Sequence, residues 1–250
     1  MFSSPLEQFL LLPLTNTGMG PLDFSLNLAL FSIVINFSTI LPIAIGGGLL
    51  GFAVVPGLWD VSVEGLYLGV AELIIDSVGV VGQKYFPFLF TIYTFILFSN
   101  LAGLVPYSLN ITSHFIQTAV LSLLVFSGLV FICLRTYGTR AISLLLPSGT
   151  SLGLGFILVP LEIISFLFKP LSLAVRLFAN MMAGHTLLKV LVGFSWALLV
   201  EGTDLFLVGH ITPLILLVIL YLLELAVAII QSYVFSVLST IYLKDAINLH

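Results

Sequence analysis

Glu162, Arg176, Asn180 and His185 sit in one long apolar run of this sequence, and Glu224, Gln231 and Asp245 in the next. Those residue types at those depths point to ion chemistry. A guanidinium keeps its proton in any protein environment. At the centre of a bilayer it costs about 2.5–3.5 kcal/mol on insertion scales, so it must face a partner or water. Carboxylates and an imidazole, by contrast, take up and release protons. Arg176 reads as the fixed positive post of a proton path, with the acids and the histidine as its titratable stations.

The spacing supports that reading. Fold the two runs as an antiparallel hairpin about the turn at Glu201 and Asp204. Residues at equal depth then have numbers with a nearly constant sum, because both helices rise equally per residue. One register, with sums of about 407–409, pairs Glu162 with Asp245, Arg176 with Gln231 and His185 with Glu224. His185 lies about 180° around its helix from Arg176, while Glu162 and Asn180 lie about 40° to either side of the Arg176 face. Ser172, Ala179 and Ala183 share that face, and small residues let another helix approach closely.

A physical picture follows. His185 and Glu224 line a water-filled pocket near one surface, and Glu162 and Asp245 line another near the opposite surface. Arg176 between them repels a hydrated proton, so a proton crosses only by boarding a carrier that moves past the arginine. This chain offers no such carrier, and a partner must supply it. Blander readings stand beside this one. Asn180 and Gln231 serve equally as helix contacts, Glu162 and Asp245 as solvated charges near helix ends, and His185 as a satisfied core histidine. Lys169 and Lys189 read as snorkelling side chains.

The elements that must position these groups are membrane helices. Of 250 residues, 60% are hydrophobic and only 7% charged, against around a quarter charged in soluble domains. The apolar runs are long and punctuated by Gly and Pro, without the alternation of roughly ten-residue barrel strands. The fold class is therefore an all-α integral membrane protein, forming one membrane domain over 1–250. About five membrane helices are expected, plus one surface amphipathic helix. Residues 26–52 give the first span, 86–104 and 116–134 the next two. Residues 160–193 and 211–243 give the long hairpin, with Pro160 and Pro213 suited to the first turns. At 1.5 Å per residue the last two helices far exceed a hydrocarbon core of about 30 Å, so they must tilt, bend or break. Pro170 allows a bend.

Residues 59–81 read differently. Asp60, Glu64, Glu72 and Asp76 fall within an arc of about 160°, opposite Val63, Leu66, Val70, Leu73 and Ile74. That is the pattern of a helix lying on a membrane surface, or of one packed on another subunit. Asn100 in the second span reads as a helix-contact residue. Lys84, Arg135, Arg140 and Lys244 all fall on one side of a five-crossing topology. That partition puts the C-terminus in the matrix or cytoplasm and the N-terminus outside.

Other function classes fit poorly. A proton-coupled secondary transporter is the chief alternative; it would carry internal repeats and a site at discontinuous helices, and no repeat is visible. His114, His185, His210 and His250 lack paired axial-ligand spacing for haem. No Walker-type loop appears, so nucleotide chemistry belongs elsewhere. The single Cys133 excludes an internal disulfide. The N-terminal stretch has no Lys or Arg, which argues against a secretory or Arg-rich transit peptide. Manufacture inside an organelle, or in a bacterium, fits that absence.

The segments LSLAVRLFANMMAGH and LELAVAIIQSYVFSVLSTIYLKDAINLH resemble subunit a of F-type ATP synthases, specifically the mitochondrial form. The likeness runs from SPLEQF near the start to LKDAINLH at the end, and is most specific around Arg176 and Gln231. It implies a non-catalytic stator subunit of the mitochondrial inner membrane, its N-terminus in the intermembrane space and its C-terminus in the matrix. The implied partners are a rotating ring of c subunits, other membrane-sector and peripheral-stalk subunits and the lipid bilayer, with no cofactor and no nucleic acid. Arg176 would separate two aqueous half-channels. His185 and Glu224 would line the outer one, Glu162 and Asp245 the inner one, with Asn180 and Gln231 beside the arginine. Fungal mitochondrial members carry a short leader before a Ser-Pro-Leu start, which makes Ser3 or Ser4 an expected point of cleavage.

Overall fold

The structure, a computed structural model, describes residues 57–105, 111–138, 152–201 and 206–247, together with Phe9 and Val34. The expected first span over 26–52 lies outside the described residues apart from Val34. Helix α1 spans Leu58–Val78 and leads through a 3-10 helix, Val80–Tyr85, into α2, Phe86–Gly103. A 3-10 turn, Ile111–Ser113, precedes α3, Phe115–Tyr137. Two long helices follow, α4 over Leu152–Glu201 and α5 over Phe206–Ile247. The described residues hold no strand. Four helical stretches among them are long and apolar enough to cross a membrane: Val80–Gly103, Phe115–Tyr137, Leu158–Leu198 and Ile211–Ile247.

Local chemistry explains the helix ends. Asp60 Oδ2 accepts a hydrogen bond from the Gly57 N–H at 3.0 Å, and an acid is also favoured by the helix dipole there. The helix stops at Gly79, whose φ of 82° is open to glycine at little cost. Its N–H still reaches the Ile75 carbonyl. On α1, Asp60, Glu64, Glu72 and Asp76 are exposed while Val70 and Ile74 are buried. Gly82 seats the 3-10 helix on that buried side: a Cβ there would stand 2.8 Å from Val78 Cβ.

Both long helices begin earlier than their prolines suggest. Pro160 and Pro170 lie inside α4, and Pro213 inside α5, so neither Pro160 nor Pro213 marks a first turn. A proline removes one backbone donor from the ladder, and membrane helices tolerate that where neighbouring groups absorb the loss. With 50 and 42 residues, their contour lengths are roughly 75 and 63 Å. Neither fits upright within about 30 Å of hydrocarbon.

Polarity is arranged inside out. Ser232, Ser236, Ser239 and Thr240 of α5 are buried, as are Thr118 and Ser122 of α3. Leu123, Phe131, Leu167, Val190 and Ile219 are exposed. Between helices in lipid, close approach and hydrogen bonds replace the hydrophobic drive, so small hydroxyl side chains turn inward.

The chain divides into two compact units. One contains Phe95–His114 and Leu177–Ser232; the other contains Pro42–Thr94, Phe115–Arg176 and Tyr233–His250. In the first, Leu104, Met181 and Ala228 form a buried apolar cluster backed by Leu101 and Leu225. In the second, Phe126 meets Phe166 edge to face at 4.6 Å, and Tyr67 packs on Phe86 at 4.6 Å.

Candidate functional site

The first unit gathers buried polar side chains from three helices. Glu224 of α5 is 5% exposed, and its Oε1 stands 3.7 Å from His185 Nε2 of α4. That is an ion-pair distance when the imidazole is protonated, and too long for a direct hydrogen bond. Neither Glu224 oxygen has a hydrogen-bond partner among the described residues. Gly184, next to His185, makes the approach sterically feasible: a Cβ at that position would lie 2.6 Å from Glu224 Oε1.

Two turns along α5, Gln231 is also buried, and its Oε1 accepts a hydrogen bond from Asn180 Nδ2 at 3.0 Å. Its own Nε2 donor has no partner among the described residues. Between Glu224 and Gln231, the Ala228 carbonyl accepts from Asn100 Nδ2 of α2 at 3.2 Å. Asn100 is fully buried, and neither its Oδ1 nor Ser99 Oγ beside it has a hydrogen-bond partner among the described residues. An orphaned buried polar atom costs about 1–3 kcal/mol. Ordered water satisfies such groups where a site is polar and roomy enough.

The second unit holds Arg176, Lys169 and Asp245. Arg176 is exposed. The Tyr242 ring of α5 lies within electrostatic reach of both Arg176 and Asp245. Lys169 Nζ stands 3.8 Å from Asp245 Oδ2, and Asp245 is about half exposed. The expected partner of Asp245 was Glu162, which lies in α4 with its side chain outside the described residues. Lys169, expected to snorkel, lies within ion-pair distance of the Asp245 carboxylate. Among the described residues no group of three His, Cys, Asp or Glu side chains converges to hold a metal ion.

The family model described as ATP synthase A chain matches residues 26–244. The chain belongs to that family. It is 54% identical over 250 residues to ATP synthase subunit a of Pylaiella littoralis, covering 100% of both proteins. It is 44% identical over 253 residues to the subunit a of Marchantia polymorpha, again with 100% of both covered. Against the subunit a of Oenothera berteroana the identity is 44%, over 99% of this chain and 90% of that protein. Within this ATP synthase A chain member, the pairing of His185 with Glu224 was readable from depth alone. Gly184 and Lys169 were not. Gly184 could have been flagged by its place beside the histidine, since only a missing side chain leaves room there. Lys169 carried no signal beyond its charge.

Proposed function

We propose that this chain is the proton-conducting stator subunit of an ATP synthase membrane sector, without a catalytic site of its own. Protons pass along two aqueous half-channels to and from carboxylates on a rotating ring of c subunits. His185 and Glu224 line the outer half-channel, with Asn180 and Gln231 beside the arginine. Glu162 and Asp245 line the inner one. Arg176 stands between them as a charge that no proton can pass directly, and it favours the ionised form of a ring carboxylate that comes near. Each charge crossing the membrane yields about 2.3 kcal/mol per 100 mV, which turns the ring.

The observation that carries this reading is Glu224, buried within a polar region of a membrane protein with neither oxygen hydrogen-bonded among the described residues. An acid held so is a functional group by default. Family membership and full-length similarity to proteins named ATP synthase subunit a support it further. The location that fits is the mitochondrial inner membrane, with the Lys- and Arg-bearing loops and the C-terminus in the matrix.

The test is Arg176→Ala in the complete complex, reconstituted into vesicles. Proton-driven ATP synthesis is lost while the subunit remains inserted and assembled. Synthesis at the unmodified rate would reject the role of Arg176. A purified native complex with no small hydrophobic ring subunit would reject the stator reading altogether.

A further inference from the structure

We infer that Lys169 is a positioning residue at the inner end of the path, holding the Asp245 carboxylate in one place. The inference rests on the reading of Asp245 as an inner-side path residue. Besides its 3.8 Å approach to Asp245, the Lys169 ammonium stands 5.1 Å from the centre of the Tyr242 ring and 6.0 Å from that of Phe166. Phe166 lies one turn before Lys169 on α4, and Tyr242 one turn before Asp245 on α5. Both rings present faces that attract a cation.

A snorkelling lysine keeps its head in water and sweeps many rotamers. Lys169 instead has its side chain only 32% exposed, bounded by two rings and a carboxylate. The Phe166 ring is itself braced: Phe126 of α3 meets it edge to face. The charge is therefore fixed in position. Asp245, with its side chain 55% exposed near the end of a helix, would otherwise be free to swing. A group that relays protons works best when held at a set distance from its donor, since proximity and orientation lower the barrier.

The experiment uses the complete reconstituted complex, with rates of proton-driven ATP synthesis and ATP-driven proton pumping normalised to assembled enzyme. The variants are Lys169→Met, Lys169→Gln, Lys169→Arg, Asp245→Asn and the double Lys169→Met/Asp245→Asn. Lys169→Gln covers the case in which an apolar side chain disturbs assembly. Neutral substitutions lower both rates roughly two- to fivefold, the range of a partly exposed ion pair. Lys169→Arg restores them. In the Asp245→Asn background Lys169→Met has no further effect, because its target is gone.

If Asp245→Asn slows the enzyme and the neutral lysine variants do not, the inference is overturned and the path reading stands. A lysine cost that persists undiminished in the Asp245→Asn background overturns it too, by assigning Lys169 to packing. Unchanged rates in Asp245→Asn overturn the assignment of Asp245, and the role of Lys169 with it.

Discussion

Gly184 leaves the space that the Glu224 carboxylate fills: a β-carbon on the glycine would come within 2.6 Å of the carboxylate Oε1 and 2.8 Å of its Cδ. No van der Waals pair tolerates such distances. Gly184→Ala should therefore push Glu224 off its position near His185. The expected result is proton-driven synthesis reduced about tenfold or more, equivalent to about 1.4 kcal/mol or more on the barrier, with normal amounts of assembled complex. An alanine variant with unmodified synthesis would show that the carboxylate can sit elsewhere and still work.

Glu224→Gln keeps the shape of the side chain and removes its ability to carry a proton. If Glu224 serves the outer half-channel, the variant's synthesis rate should fall and recover in part when the outer bulk phase is made more acidic. Inner-side pH should change its rate no more than it changes the parent's. Equal sensitivity to pH on both sides would remove Glu224 from the outer path.

Asn100 donates to the Ala228 carbonyl with its side chain wholly buried. Hydrogen bonds between membrane helices contribute about 0.6 kcal/mol on average, and up to about 1.7. Asn100→Leu should lower the thermal inactivation midpoint of the purified complex by a few degrees while leaving proton conduction near normal. Slowed conduction with unaltered thermal stability would instead move Asn100 from helix contact to water path.

His114 precedes α3 outside the membrane-spanning stretch, and burial pushes its imidazole below the ordinary value of 6.5. Its Nε2 is buried without a hydrogen-bond partner among the described residues, so charging it would add a donor that none of them receives. Between the folded and unfolded values the unfolded chain binds more protons, so stability rises with pH in that window. Stability should thus decline as pH falls below about 6.5 and level off below the folded value. His114→Gln should flatten that slope in thermal inactivation measured from pH 7.5 to 5 (roughly the span in which histidine titrates). An identical slope in the variant would assign the pH dependence to other groups.

Read alone, the residue pattern establishes a helical membrane protein and marks which residues are too costly to be idle. Composition and run length decide between lipid and water, and equal helical rise matches depths across a hairpin. That is why equal depth alone pairs His185 with Glu224. Depth, however, leaves rotation about each helix axis open. Gln231 was matched in depth with Arg176, yet its carbonyl oxygen is taken by Asn180, one turn further along α4. Pro160 and Pro213 looked like starting points and proved internal, because a ladder of dozens of hydrogen bonds survives the loss of one. Only the tertiary structure showed that Gly184 clears space for a carboxylate and that Lys169 is boxed by two rings and an acid. Such features depend on how near two helices come and which faces they turn to each other, and packing decides that rather than the pattern of any single run.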